Sequence, residues 1–297
     1  MKLGLNLSFA TKRWLNPKEL AKMCKEEFGV KYIQFTWDLI NPWWPSEQRD
    51  AMAKEYKEAF EAQGLEITAT FGGLAAYTYA QLLAPTKEQR EISYTFFKRA
   101  IDLTAAMGVD VIGTPVGGMT YEDSNNPQRR KELYNIALDY LRKLSQYAKE
   151  KGLKEIHIEA TPLATEFPSN PKESKQFMED LDGTTAIPVK LLIDWGHALY
   201  KPLLKEEADM ELWLKTCAPY VGSIHIQQTD GMLDRHWDFT KDGIVTPEVI
   251  INTTKNSGAE DIIQYLEVVT AFEEDDDVVH DNMKKTMDTL NKLFSQS

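Results

Sequence analysis

Eight short apolar or β-branched runs alternate with longer amphipathic stretches along this chain, and no Ser/Gly/Pro-rich linker interrupts the rhythm. Runs of these two lengths and periods read as strands and helices in alternation. Strands joined through helices pair in parallel, because the crossover returns the chain to the same end of the sheet. Eight such units suit a closed sheet, so the expected fold is α/β, a (β/α)8 TIM barrel, with residues 1–297 as a single domain. The expected strands cover residues 2–7, 32–36, 65–70, 109–113, 155–159, 190–194, 221–226 and 262–268.

Punctuation supports the same division. Asn16, Ser46, Thr86, Asn126, Asn170 and Thr246 each precede a helical run, four of them with Pro next, as N-caps ahead of an N1 residue. Gly64, Gly108 and Gly152 follow helical runs, where a left-handed C-cap turns the chain back toward a strand.

The chemistry gathers at the ends of the later strands. Glu159 closes KEIHIEA, Asp194 closes KLLID, His225 lies near the end of GSIHI, and Glu267 stands in IIQYLEVV. In a barrel all strand carboxyl ends open on one mouth, so the fifth to eighth strands would deliver these four side chains to one place. Three carboxylates and one imidazole make an oxygen-rich site suited to Mn²⁺, with Mg²⁺, Co²⁺ or Zn²⁺ as alternatives. Such a cation, chelated by two neighbouring sugar oxygens, acidifies the carbon-bound hydrogen beside them. Glu159 and Glu267, if placed on opposite faces of the sugar, would remove and return that proton through a metal-stabilised enediolate.

Other residues extend the expected site. His197 follows Asp194 by three residues and is expected to donate to a substrate oxygen. Arg235 is expected to fork onto hydroxyls or an anion. Its neighbours Asp234 and His236 would hold a second metal or orient Arg235 and His225. Trp14 and Trp37 are expected to wall a sugar pocket. The pairs Gly72-Gly73 and Gly117-Gly118 mark tight turns or close approach to a ligand, and Lys12 with Arg13 is a possible anion site. The acids at 273–277 make the loop after the eighth strand hostile to phosphate and complement the dipole of the last helix.

Composition narrows the partners. With 34 Lys and Arg against 46 Asp and Glu, the formal net charge is -12, which disfavours nucleic acid. The start MKLGLNLSFA lacks the apolar length of a signal peptide and no later run reaches a membrane span, so no membrane partner and a cytoplasmic location are expected. Cys24 and Cys217 stand alone and read as buried thiols.

Glu159, the D-W-G-H of residues 194–197, His225, the D-R-H of residues 234–236 and Glu267 together resemble the xylose isomerase-like barrel superfamily over almost the whole chain. That superfamily holds sugar isomerases, ketose 3-epimerases and the endonuclease IV family. The resemblance implies one Mn²⁺ held by Glu159, Asp194, His225 and Glu267, with the two glutamates exchanging protons on a sugar or sugar phosphate. It also implies a homodimer or homotetramer. Endonuclease IV enzymes hold three zinc ions, but two histidines of that pattern are missing from TATFGGLAAY and VIGTPVGGM. A metal-dependent phosphodiester hydrolase is therefore the alternative. NLSFATKRW, QFTWDLINPWW and HIQQTDGMLDRHWDFT are similar to the cluster of D-erythrulose 1-phosphate 3-epimerase and D-apiose isomerase, implying a tetrulose phosphate or a pentose such as apiose.

Overall fold

The computed structural model describes residues 1–79 and 81–295, and within them all eight expected strands form. They are β1 Lys2–Asn6, β2 Tyr32–Thr36, β3 Glu66–Phe71, β4 Val111–Thr114, β5 Glu155–Glu159, β6 Val189–Asp194, β7 Val221–Ile226 and β8 Ile263–Leu266. Each pairs in parallel with the next in chain order, and β8 pairs with β1, which closes the barrel. β2, β5 and β7 begin and end where the sequence places them; the others differ by one or two residues at an end. Glu267 falls one residue past β8, yet its N–H still donates to the Ile226 carbonyl at 2.9 Å. The ladder therefore continues to the residue that matters.

Helices cover the outside. Asn16, Asn126 and Asn170 accept backbone N–H groups at the starts of Pro17–Lys22, Pro127–Glu150 and Pro171–Leu181. Thr246 does so for Pro247–Asn256, and Thr86 forms a reciprocal capping box with Gln89 for Lys87–Ala106. Ser46 is a correction: Pro45 holds the cap position, and Ser46 is the first residue of helix Ser46–Ala62 with no side-chain cap bond. Pro45 fixes an extended backbone immediately before the helix, and that displaces the start by one residue. Asp276 and Asp277 lie in the first turn of Asp276–Ser295, where acids are favoured.

The core fills the layer between helices and sheet, with Phe35, Trp37, Tyr56, Phe60, Phe96, Trp195 and Trp213 fully buried. Each such side chain contributes roughly 1.5–3 kcal/mol by leaving water. Cys24 and Cys217 are buried and unpaired, and burial pushes both thiols up, Cys217 to about 12. No helix among the described residues is long and apolar enough to cross a membrane.

Candidate metal centre and active site

Glu159, Asp194, His225 and Glu267 stand on four consecutive strand ends, and one ligand atom from each lies within 4.8 Å of those of the others. All four are buried. Glu159 Oε1, Asp194 Oδ2 and His225 Nδ1 have no hydrogen-bond partner. His225 Nδ1 stands 2.7 Å from Glu267 Oε2 and 3.3 Å from Glu159 Oε1, but neither contact is aligned as a hydrogen bond. Orphaned buried polar atoms are costly, and three aimed at one spot are the signature of an absent partner that all of them bind. A divalent cation fits this donor set.

Surrounding bonds hold the donors in place. Asp194 Oδ1 accepts the His197 N–H at 3.0 Å and the Gln227 side-chain amide at 2.8 Å, leaving Oδ2 free. His225 Nε2 lies 2.7 Å from Gln34 Oε1, which also accepts from Asn6 Nδ2 at 2.6 Å. An imidazole that donates through Nε2 presents the lone pair of Nδ1 to the centre. Removing the acceptor with Gln34→Leu is expected to lower metal affinity by about 10- to 100-fold. Titration with Co²⁺ followed by visible absorption measures it, and wild-type affinity would show that this bond does not set the imidazole.

The electrostatics divide the two glutamates. Burial raises the Glu159 carboxyl above its ordinary range despite the nearby His197 and His225. Burial acts on Glu267 in the same sense, but His225 and His236 outweigh it and bring its carboxyl below the ordinary value. For His225, burial disfavours the proton, yet the facing Glu267 and Glu159 win and the metal-free imidazole rises to about 10.

A second group adjoins the first. His197 Nε2 and His236 Nε2 each lie 3.1 Å from Asp234 Oδ2, and His197 Nδ1 donates to the Ala160 carbonyl at 3.0 Å. Ligand atoms of these three residues also fall within 4.8 Å of one another, as a second cation would require. Both imidazoles keep their protons beyond the usual range: burial opposes this, but Asp234 and the other surrounding acids prevail. Gln227 Nε2 joins the two groups, bonding Asp194 Oδ1 and Asp234 Oδ1 at 2.9 Å or less. A Cβ on Gly196 would collide with that amide, so each position of D-W-G-H has its work: ligand, core, clearance and imidazole. His236 adopts φ +46°, unusual for a non-glycine, and its N–H donates to Gln227 Oε1.

A cavity opens beside the centre, lined by Glu159, His197, Asp234, His236 and Glu267 together with Phe9, Asp38, Phe71, Leu74 and Phe272 among others. Three expected substrate residues lie off this wall. Trp37 is fully buried, its ring 5.7 Å from Phe96 and 6.5 Å from Phe97, because the outer core gains more from so large a ring than a polar mouth does. Trp14 stands behind Phe9 at 5.7 Å and against His280, and Phe9 is the ring that reaches the cavity. Arg235 bonds Asp230 Oδ2 through Nε at 3.1 Å and Nη2 at 2.7 Å, and lies over Trp237. An acid five residues back in the same loop takes the guanidinium before any substrate does.

The two other marked sites also resolve. Arg13 is tied to the carbonyls of Ala271 and Glu274 and to Asp276, so the first loop clasps the last. Gly73 takes φ +51°, and a Cβ there would strike Asp38 and Thr36. Its role is to let Asp38 accept the N–H groups of Leu74 and Ala75 at 3.0 and 2.7 Å. Asn6, Gln34, Asp38 and Gln227 were not singled out in the sequence. The available signal was a polar amide inside an apolar strand, as in YIQFT, which burial tolerates only with partners.

Comparison with known proteins agrees with this architecture. The family model described as xylose isomerase-like TIM barrel matches residues 24–292. D-erythrulose 1-phosphate 3-epimerase of Brucella abortus (strain 2308) is 25% identical over 269 residues, covering 87% of this chain and 85% of that protein. A crystal structure of a Rhodospirillum rubrum ATCC 11170 protein, provisionally named a xylose isomerase, is 48% identical and superposes with a TM-score of 0.96 over 98% of this chain and 99% of that one. D-psicose 3-epimerase of Clostridium cellulolyticum H10 shares the fold, with a TM-score of 0.72 over 99% of both chains at 14% identity. The barrel, its four-residue centre and the match across residues 24–292 establish that this chain belongs to the xylose isomerase-like TIM barrel family.

Proposed function

We propose that the protein is a divalent-metal-dependent sugar isomerase or epimerase acting on a short aldose or ketose, such as a tetrulose or a pentose of the apiose type. The observation that carries this reading is the convergence of three orphaned buried donor atoms, on Glu159, Asp194 and His225, with Glu267, both glutamates lining a cavity. A cation held there, Mn²⁺ by our preference, would polarise neighbouring sugar oxygens and acidify the hydrogen on the carbon they flank. Glu159 and Glu267, which both line the cavity, would remove and return that proton between them. His197 and His236 flank Asp234 at the cavity wall and hold its carboxylate through their Nε2 atoms. The names of the relatives, epimerases of a tetrulose phosphate and of a ketohexose, support the same class.

The phosphodiester hydrolase alternative needs further metal ligands at the ends of β3 and β4. Those strands end in Phe71 and Thr114, and the Phe71 ring stands 4.7 Å from His225 in edge contact. An apolar ring there favours the sugar reading.

The test is incubation of the Mn²⁺-loaded protein in D₂O with free and phosphorylated tetroses and pentoses, following deuterium by NMR. Label entering a carbon beside a carbonyl is expected, and its position separates epimerisation from isomerisation. No exchange with any sugar would overturn the proposal.

A further inference from the structure

Resting on that reading, we infer that the substrate is an uncharged free sugar, and that the cavity is built to exclude its phosphate ester. Among the described residues that line the cavity there is no lysine or arginine, whereas four carboxylates face it, Asp38, Glu159, Asp234 and Glu267. The imidazoles of His197 and His236 are already committed to Asp234 between them, each through Nε2 at 3.1 Å. With a cation held by the four-residue centre, the carboxylates of Asp38 and Asp234 remain, and a phosphate dianion entering here would find no lysine or arginine to replace its hydration.

Most groups nearby that would ordinarily seat a phosphate are engaged within the chain. Gly73 and Leu74 line the cavity, and the backbone N–H groups of this turn would be the nearest main-chain donors to an anion. Here Asp38 occupies that position, taking the N–H groups of Leu74 and Ala75 through both carboxylate oxygens. Gly73 is needed so that Asp38 can fit, and therefore the glycine pair seats a carboxylate of the chain itself. Arg13 is clasped by Asp276 and two carbonyls, and Arg235 by Asp230. Lys12 lies 4.6 Å over the ring of Phe272, on the acid-rich loop after β8.

Part of the cavity wall is apolar. Phe9, Leu74, Val269 and Phe272 line it, and Leu74 and Phe272 remain 45% and 49% exposed. Carbon-rich walls accept the C–H faces of a sugar and give a phosphate nothing to replace its water. Exclusion of the charged analogue is thus supplied by missing cationic donors together with the Asp38 and Asp234 carboxylates outside the four-residue centre. The relative that acts on a 1-phosphate shares 25% identity with this chain, which leaves room for the difference.

The experiment compares matched pairs, D-erythrulose with D-erythrulose 1-phosphate and D-xylulose with D-xylulose 5-phosphate. The Mn²⁺-loaded protein is titrated with each by calorimetry, and deuterium exchange is followed in parallel. Free sugars are expected to bind at least 10-fold more tightly than their esters. Leu74→Lys, which adds a cation at an exposed rim position, is expected to narrow that ratio by 10-fold or more. Tighter binding of either ester than of its free partner overturns the inference, and loss of that preference in Lys12→Ala would name the anchor responsible. An unchanged ratio in Leu74→Lys also counts against it, since the exclusion would then not be electrostatic. If free sugars bind preferentially but no deuterium enters, the isomerase or epimerase reading fails while the charge selection stands. Binding of neither form overturns both.

Discussion

Glu267→Gln is expected to fold normally and to lose turnover by on the order of 10²–10⁴-fold, the usual contribution of a positioned proton-transfer group. The substitution keeps an amide oxygen at the same place, so a ligand atom survives while the base is removed. Glu267 Oε2 faces His225 Nδ1 at 2.7 Å and His236 Nδ1 at 3.6 Å, and these imidazoles hold the carboxylate ionised below its ordinary range. Two measurements separate its roles: Co²⁺ titration reads the ligand, and deuterium exchange into substrate reads the base. Metal binding within about 10-fold of wild type, together with lost exchange, is the expected pair of results. Full exchange in this variant would remove Glu267 from the proton-transfer scheme.

Chelation is expected to abolish activity completely, and one divalent cation per chain to restore it. Uptake of that cation is expected to release about one proton per site near neutral pH. The sign follows from His225. Its metal-free imidazole is raised to about 10, so below that pH the cation must displace a proton to reach Nδ1. Metal affinity therefore rises with pH across the neutral range, by about tenfold per unit for each proton displaced, and the dependence fades as pH approaches 10. Calorimetry in two buffers of different ionisation enthalpy counts the protons. A pH-independent affinity with no proton release would mean that Nδ1 is not a ligand.

The barrel was largely legible because alternation of period is a local property. A strand such as KEIHIE and a helix such as Pro127–Glu150 carry their patterns whatever surrounds them, and Asn or Thr before a helix caps it by reaching its own backbone. Ser46 marks the limit, where one proline moved the helix start. The four-residue centre was legible for a related reason. Once strands run parallel in order, their ends must share one mouth, so residue type and strand position together predict convergence.

The cavity wall was not legible in the same way. Trp14 and Phe9 lie five residues apart in one loop, and nothing in their spacing says that the phenylalanine reaches the cavity while the tryptophan packs behind it. Arg235 and Asp230 are near neighbours in sequence, yet their pairing depends on a loop path set by Thr229, Gln228 and the β7 end.

The two buried histidines on strands show where the boundary falls. His157 and His225 both sit in apolar strand sequences, EIHIE and GSIHI. His157 has both nitrogens satisfied, by Ser223 at 2.9 Å and Glu155 at 3.0 Å, whereas His225 keeps one nitrogen bonded to Gln34 and the other facing carboxylates with no bond. By itself the sequence determined a parallel eight-stranded barrel and which strand ends carry ligand-type side chains, because both follow from periodicity within each segment. Only the tertiary structure decided which polar groups are left without partners and which cations are taken by acids, because hydrogen-bond satisfaction is settled between segments that meet far apart in the chain.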